Sequence, residues 1–326
     1  MRLIIKLFMF ALLAAALTFA GCSDSGFRSD VAEDIAKPWT DKKLEEAGEG
    51  MVFAVFGDRT GLHYPGKLSI AVEKINRSNP DFVVSVGDHI EGYTRDVEAL
   101  DQEWAEFDAL IDKLDSRFFK IPGNHDYSNH VMAEYYKNLY GRDYYYFVFN
   151  NVLFLCLNTQ DPPSEKPEEE EKKMSGWMHS MVESVKHDSQ KGIATVQETL
   201  KKYSGAHGHA TISDAQVEYF RGVIDRHKDV KWTLVFMHMP AWDGSYQCEN
   251  FKNLQQALKG RAYTVFAGHE HQYRLETVNG NAYYRVGPTA AIPRENIPEC
   301  ERQFLIVDFR GATPKVQVVK VEDKVL

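Results

Sequence analysis

Five times along this chain a short apolar run of strand character stops at glycine, aspartate, asparagine or histidine. Met51 to Phe56 runs into Gly57-Asp58, Phe82 to Val86 into Gly87-Asp88, and Phe118 to Ile121 into Gly123-Asn124-His125-Asp126. Lys231 to Met237 is followed by His238, and Ala262 to Ala267 by Gly268-His269-Glu270-His271. Apolar runs of this length, bounded by turn residues, read as buried strands. In α/β sheets ligands gather outside the carboxyl ends of strands. The pattern therefore predicts a sheet edge lined by oxygen and nitrogen donors.

The rest of the periodicity fits that frame. Leu68, Ala71, Val72 and Ile75 fall at helical spacing, an amphipathic stretch runs from about Val97 to Leu114, and Ser213-Asp214 opens a further helix. Tyr144 to Phe149 and Val152 to Leu157 are strands joined at an Asn150-Asn151 turn. Toward the C-terminus come strands at Tyr273 to Val278, Ala282 to Val286, Gln303 to Phe309 and Lys315 to Val321, two of them linked by Asn279-Gly280-Asn281. This mixture predicts one α/β domain over residues 51–326 with many antiparallel pairs. Residues 160–211 break the pattern and read as an insertion. They open with Asp161-Pro162-Pro163, pass through a charge run from Glu165 to Lys173 read as a solvated face, and turn helical over Gln197 to Tyr203. His207 and His209 close the insertion; a bland surface role is favoured over a metal role.

The N-terminus reads as a processing segment. Arg2 and Lys6 precede the run from Leu7 to Ala20, apolar except for Thr18 and short for a membrane span. It ends in Phe19-Ala20-Gly21-Cys22, which resembles the lipobox of bacterial lipoproteins, with Phe19 in place of the usual aliphatic residue. The resemblance implies a signal peptide over 1–21, acylation of Cys22, and a lipid-anchored protein of the cell envelope. An ordinary secretory signal is the alternative. Residues 22–50 read as tether and N-terminal extension. Export makes a bridge between Cys248 and Cys300, both in polar stretches, an expectation. Cys156, inside an apolar strand, reads as an inert core thiol. The net charge of −9 gives no basic balance with which to bind nucleic acid.

Aspartate, asparagine and histidine without thiolates suit manganese, iron or zinc. The GD pairs and the lone His238 are weak signals, whereas GNHD and GHxH after strands are specific. In extended backbone the alternate histidines of GHxH would face one way. Taken in order, Asp58, Gly87-Asp88, Gly123-Asn124-His125-Asp126, His238 and Gly268-His269-Glu270-His271 resemble the calcineurin-like metallophosphoesterases. That resemblance implies two mixed β-sheets packed as a sandwich flanked by helices, with two divalent or trivalent metal ions at the sheet edge. It implies that Asp58, Asp88 and His271 hold the first ion, and that Asp88 bridges to a second held by Asn124, His238 and His269. His125 would protonate the leaving group of a phosphate mono- or diester while a metal-bridging hydroxide attacks. The chain departs from the family at Thr60, where a histidine ligand is expected. Glu91 matches an aspartate that orients the catalytic histidine in protein Ser/Thr phosphatases, and a tyrosine ligand in purple acid phosphatases. It is read here as the orienter of His125, with ligation or a solvated carboxylate as alternatives. Arg59 is a candidate phosphate contact, with carboxylate pairing as the plain alternative. The loss of the histidine at 60 keeps a second functional class open, a non-catalytic metal-binding or interaction module.

Overall fold

The computed structural model describes residues 26–45, 48, 50–202, 208–293 and 300–322. In chain order the elements are β1 (Arg28–Ser29), β2 (Val52–Phe56), α1 (Lys67–Ser78), β3 (Phe82–Ser85), α2 (Val97–Ile111), β4 (Arg117–Phe119), α3 (His130–Tyr140), β5 (Tyr145–Phe149) and β6 (Val152–Cys156). They continue with α4 (Glu168–His187), α5 (Ser189–Lys202), α6 (Asp214–Arg226), β7 (Trp232–Met237), α7 (Glu249–Ala257), β8 (Tyr263–Ala267), β9 (Arg274–Val278), β10 (Asn281–Arg285), β11 (Gln303–Asp308) and β12 (Lys315–Lys320).

The strands form two mixed sheets. One has the order β1-β5-β6-β7-β8-β10-β9 and the other β12-β11-β2-β3-β4. Strands β2, β3 and β4 are mutually parallel, as are β6, β7, β8 and β10. The loops after β2, β3, β4, β7 and β8 therefore meet at one edge, as the metal-binding residue types required.

Apolar alternation decides how the sheets pack. Phe53, Val55, Phe82, Val84 and Leu305 from one sheet bury against Phe147, Phe154, Phe236 and Phe266 from the other. A ladder of stacked rings crosses the inner face of the larger sheet, from Phe147 to Phe154 (4.3 Å), Phe236, Phe266 and Tyr284. Same-face ring pairs on neighbouring strands are the unit that stabilises such a sheet. On the outer faces α1, α2 and α3 cover the five-stranded sheet, and α6 and α7 cover the seven-stranded one. The result is the helix–sheet–sheet–helix sandwich expected. The asparagines at 150 and 151, and Asn279-Gly280, adopt positive φ as tight hairpin turns demand.

Three expectations change. The described part of the N-terminal extension is no tether: β1 pairs with β5, and Trp39 is buried against Phe119 and Tyr145, closing one end of the sandwich core. The insertion is a helical hairpin, α4 against α5, far more ordered than its charge run suggested. Met178, Val182, Val185 and Val196 pack on Leu62 and Ile292, beside the loop after β2. Within the glutamate run, Glu171 is buried and accepts from Arg95 Nε (2.8 Å) and Asn129 Nδ2 (3.1 Å). The expected Cys248–Cys300 bridge is not formed. Cys248 precedes α7 on the outer face of the larger sheet, whereas Cys300 is buried just ahead of β11 in the smaller one. Cys156 is a buried thiol whose acidity burial suppresses, as its strand position predicted. Cys22 lies outside the described residues.

Candidate metal centre

Strand β2 ends at Phe56, and after Gly57 Asp58 is fully buried. Its Oδ1 accepts the His269 amide (2.9 Å), while Oδ2 is buried with no hydrogen-bond partner. After β3, Gly87 takes φ +100°, and a Cβ there would lie 2.8 Å from His238 Nδ1. Glycine is needed at this position both for the φ and for the closeness of the imidazole. Asp88 follows with φ +58° and accepts the His125 amide on Oδ1 (3.0 Å). After β4, Asn124 donates its amide to Tyr93 Oη (2.8 Å), which turns its Oδ1 toward His238 Nε2 (2.9 Å). His238, after β7, has Nδ1 2.8 Å from the Val86 carbonyl, so that nitrogen carries the proton. Its Nε2 then offers a lone pair, yet it faces two further electron-pair donors, Asn124 Oδ1 and Asp88 Oδ2 (3.2 Å).

Donors that converge without a proton between them fit a cation. Two groups of ligand atoms lie mutually within 4.8 Å, one from Asp88, His238 and His269 and one from Asp58, Asp88 and His271, sharing Asp88. All six residues assigned to the two ions by family resemblance are thus brought together, Asn124 through its contact with His238. The same crowding of carboxylates and imidazoles shows in the directions of their pKa shifts. Burial lowers the His238 pKa, but Asp88 and Asp58 outweigh it and push it up to about 9. Burial raises Asp58 to about 7, aided by Asp88 and opposed by His238. Asp88 goes the other way: burial would raise it, but His238 and His125 hold it well below the usual carboxylate range.

His125 stands beside the cluster. Its Nδ1 is 2.8 Å from the Glu91 carbonyl oxygen, and its Nε2 faces Asp88 Oδ2 at 4.0 Å. The contact of Glu91 with His125 is therefore made by its main chain, not by the carboxylate expected to orient it. The carboxylate accepts the amides of Leu62 (3.2 Å) and His63 (2.8 Å) and meets His63 Nδ1 (2.8 Å). Burial would raise Glu91, and the His63 hydrogen bond and charge overcome that, holding it well below the carboxylate range. Arg59 points away from the cluster, 3% exposed, to the His89 carbonyl (2.9 Å) and Glu106 (2.5 Å). The phosphate contact expected of Arg59 is therefore replaced by an ion pair with α2. Thr60 is fully buried, with its amide 3.2 Å from the Asp88 carbonyl. His209, at the end of the insertion, is exposed on the rim of the cleft, and His207 lies outside the described residues.

The GHEH segment is not extended, as the alternate-facing argument assumed. His269 and His271 adopt φ of +72° and +52°. Both still reach the cluster because the loop doubles back after Ala267. Left-handed non-glycine residues are strained and persist where their surroundings hold them. Here the clamp is buried Arg285, which ion-pairs Glu270 between the two histidines and binds Glu276 Oε2 (3.0 Å).

Other groups escaped sequence reasoning. Asp126 receives the amides of His89 (2.7 Å), Ile90 (3.2 Å) and Gly123 (2.9 Å), tying the loops after β3 and β4 together. His89 sits buried between Ser85 Oγ (2.5 Å) and Asp126 Oδ2 (2.9 Å). The motif GNHD carried the only signal for Asp126; nothing local pointed to Arg285 or His63.

A sequence model of the calcineurin-like phosphoesterase family matches residues 51–273. The chain belongs to that family. Its members use a dimetal centre, and the candidate ligands for one are those just described. No protein of curated function matches. Among solved structures, the chain is similar to a dimetal phosphatase from Danio rerio, at 15% identity over 83% of this chain and 99% of that one, TM-score 0.49. It is similar to GAP50, the anchor in the inner membrane complex of Plasmodium, at 14% identity over 84% and 85%, TM-score 0.49. A third is the calcineurin-like phosphoesterase YfkN from Bacillus subtilis, at 11% identity over 83% and 91%, TM-score 0.42.

Proposed function

We propose that this phosphoesterase hydrolyses phosphate mono- or diesters, with Asp58, Asp88, Asn124, His238, His269 and His271 holding two metal ions and His125 serving as general acid. The observation that carries the reading is the pair of donor groups sharing Asp88, with a non-ligating imidazole at their rim. Two bound ions supply an activated water and neutralise phosphoryl charge. Asp88 is the one residue placed to serve both ligand groups, because a carboxylate has two oxygens. His238 is fixed in the tautomer that presents Nε2, through the Val86 carbonyl. His125 is held by the Glu91 carbonyl so that Nε2 faces the cleft, where its proton can pass to the departing alkoxide oxygen. A cleft of about 530 Å3 opens above these groups, lined by Tyr93, Gln160, Met239 and Ile292 among others. That volume suits a small substrate.

Thr60 favours a second reading, a metal-binding module without turnover. The two separate on one measurement: hydrolysis of an aryl phosphate monoester and of its bis-aryl diester by dialysed protein with and without added manganese. Turnover that a chelator abolishes and manganese restores supports the enzyme. Metal binding with no turnover of either ester supports the module.

We further propose that the protein is exported and anchored by a lipid on Cys22. The motif ending at Cys22 supports this, and no helix among the described residues is long and apolar enough to cross a membrane. Mass spectrometry of the mature N-terminus tests it; an intact Met1 or an unmodified Cys22 speaks against it.

A further inference from the structure

We propose that the insertion supplies the cleft with an anion subsite centred on Lys166, which selects phosphate monoesters over diesters. The inference deepens the phosphoesterase reading and rests on it. The cleft is lined by the ligand cluster with His125 and also by the two ends of the insertion, including Pro162, Ser164, Lys166 and His209. Among the described residues lining the cleft, Lys166 is the one lysine or arginine. Its Nζ lies 5.5 Å from the centroid of the Tyr93 ring. Tyr93 in turn receives the Asn124 amide on its hydroxyl (2.8 Å) and packs edge-on against His125, with ring centroids 4.9 Å apart. One aromatic ring therefore separates this ammonium from both a proposed ligand and the proposed acid.

The segment is built to deliver it. Arg95 Nη2 donates to the Lys166 carbonyl (3.1 Å) and to Glu165 (3.0 Å), and Arg95 Nε donates to Glu171 (2.8 Å). Glu165 also accepts the His130 amide (2.9 Å), which ties the stem to the start of α3. Glu165 and Glu171 are thus committed to Arg95 and α3, and Lys166 forms no ion pair among the described residues. A cation–π contact holds the ammonium without neutralising it.

Charge arithmetic gives the selectivity. A phosphate monoester carries about −1.5 to −2 near neutral pH, whereas a diester carries only about −1 because its second oxygen is esterified. An ammonium on a flexible stem acts as a point charge toward phosphoryl oxygens that face away from the ligand cluster. It therefore favours the species with more charge to meet.

The experiment compares manganese-loaded wild type, Lys166→Gln and Lys166→Arg. Calorimetric titration with inorganic phosphate at about pH 8, where phosphate is mostly dianionic, should show ~10-fold weaker binding for the glutamine variant. The arginine variant should stay within about 3-fold of wild type, since it keeps the charge. In parallel, the monoester-to-diester ratio of kcat/KM should fall ~10-fold in Lys166→Gln, chiefly through KM. Unchanged phosphate affinity together with an unchanged ratio, at wild-type metal content and Tm, overturns the subsite. If Lys166 instead meets an anionic group on the leaving group, phosphate affinity stays flat, which also overturns it. Lysine-dependent phosphate binding without turnover of either ester keeps the subsite and sinks the hydrolase reading. Turnover with an indifferent ratio does the reverse.

Discussion

The two halves of the metal centre share Asp88 and are otherwise built unequally. On one side Asn124, His238 and His269 converge, each oriented by a neighbour: Tyr93 Oη for Asn124, the Val86 carbonyl for His238, and the Tyr246 ring, 5.0 Å away and edge-on, for His269. On the other side stand Asp58, whose Oδ1 accepts the His269 amide, and His271, and the position where the family carries a further histidine is Thr60. Glu91 is the obvious substitute by sequence, but its carboxylate is spent on the amides of Leu62 and His63 and on the His63 ring. An orienting partner commonly contributes ~10–100-fold to metal affinity. The difference teaches that, on the proposed assignment, one ion would have three ligands besides Asp88, each oriented by a neighbour, and the other only two.

The broadest way to break the comparison is Asp88→Asn. It removes the charge common to both halves, so both ions should be lost on dialysis and activity should fall by ~10³-fold or more. Metal analysis after dialysis, read beside turnover, checks it. Retention of one equivalent would show that the halves do not share this carboxylate. His125→Ala makes the complementary cut. It should leave metal content in both halves at the wild-type level while turnover falls ~10²–10⁴-fold, because it removes an acid and no ligand. Loss of metal with per-metal activity intact would place His125 among the ligands instead.

Arg285→Gln tests whether the shell matters equally to both sides. Arg285 locks Glu270 between His269 and His271, one histidine for each half. Its loss also leaves Glu270 and Glu276 short of their cation in a half-buried site. Affinity for both ions should drop ~10–100-fold. Glu270→Gln, which keeps the shape and removes the charge, should do so more weakly. A drop confined to Tm, with metal titrations superimposable on wild type, would make Arg285 a prop for the sheet alone.

The same contrast between local and distant causes separates what could be read from the chain. Strands β2 to β8 were legible to within two residues because both their faces are covered, which leaves near-continuous apolar runs, whereas the largely exposed β9 and β12 were marked by a hairpin turn and by alternation. Helix α4 was not, because its first turn is Glu168 to Glu171; acid favours a helix N-terminus, but a run of it reads as solvated surface. The N-terminal extension hid its core residues, Phe27, Val31 and Trp39, at spacings of neither helix nor strand period. Ligands were legible because each sits one to five residues past a strand. Their supports were not. Arg285 reaches Glu270 from the next strand, and His63 takes the Glu91 carboxylate from another loop, pairings fixed only by the closed fold. Arg59 misled for the same reason: sequence placed it beside Asp58, and only the packing of α2 shows that Glu106 claims it.

The smallest expected effect sharpens the comparison most directly. Thr60→His restores an imidazole to the depleted half. Gly61 follows with φ +80°, and its missing Cβ lets His271 approach, since a Cβ there would lie 2.7 Å from the His271 ring. Position 60 therefore borders the half that lacks a ligand. The site is fully buried, so the larger side chain should cost about 1–3 kcal/mol and lower Tm. Against that loss, the manganese concentration for half-maximal activity should fall ~10-fold if the new nitrogen ligates. Thr60→Ala separates ligation from packing: it should leave the manganese requirement where it was. Dialysed wild type should retain about one equivalent of metal tightly, on the side of Asn124 and His238, and release the other. Two equivalents held through dialysis, with no gain from the histidine, would mean that a bound water or a rearranged Glu91 already completes the weaker half.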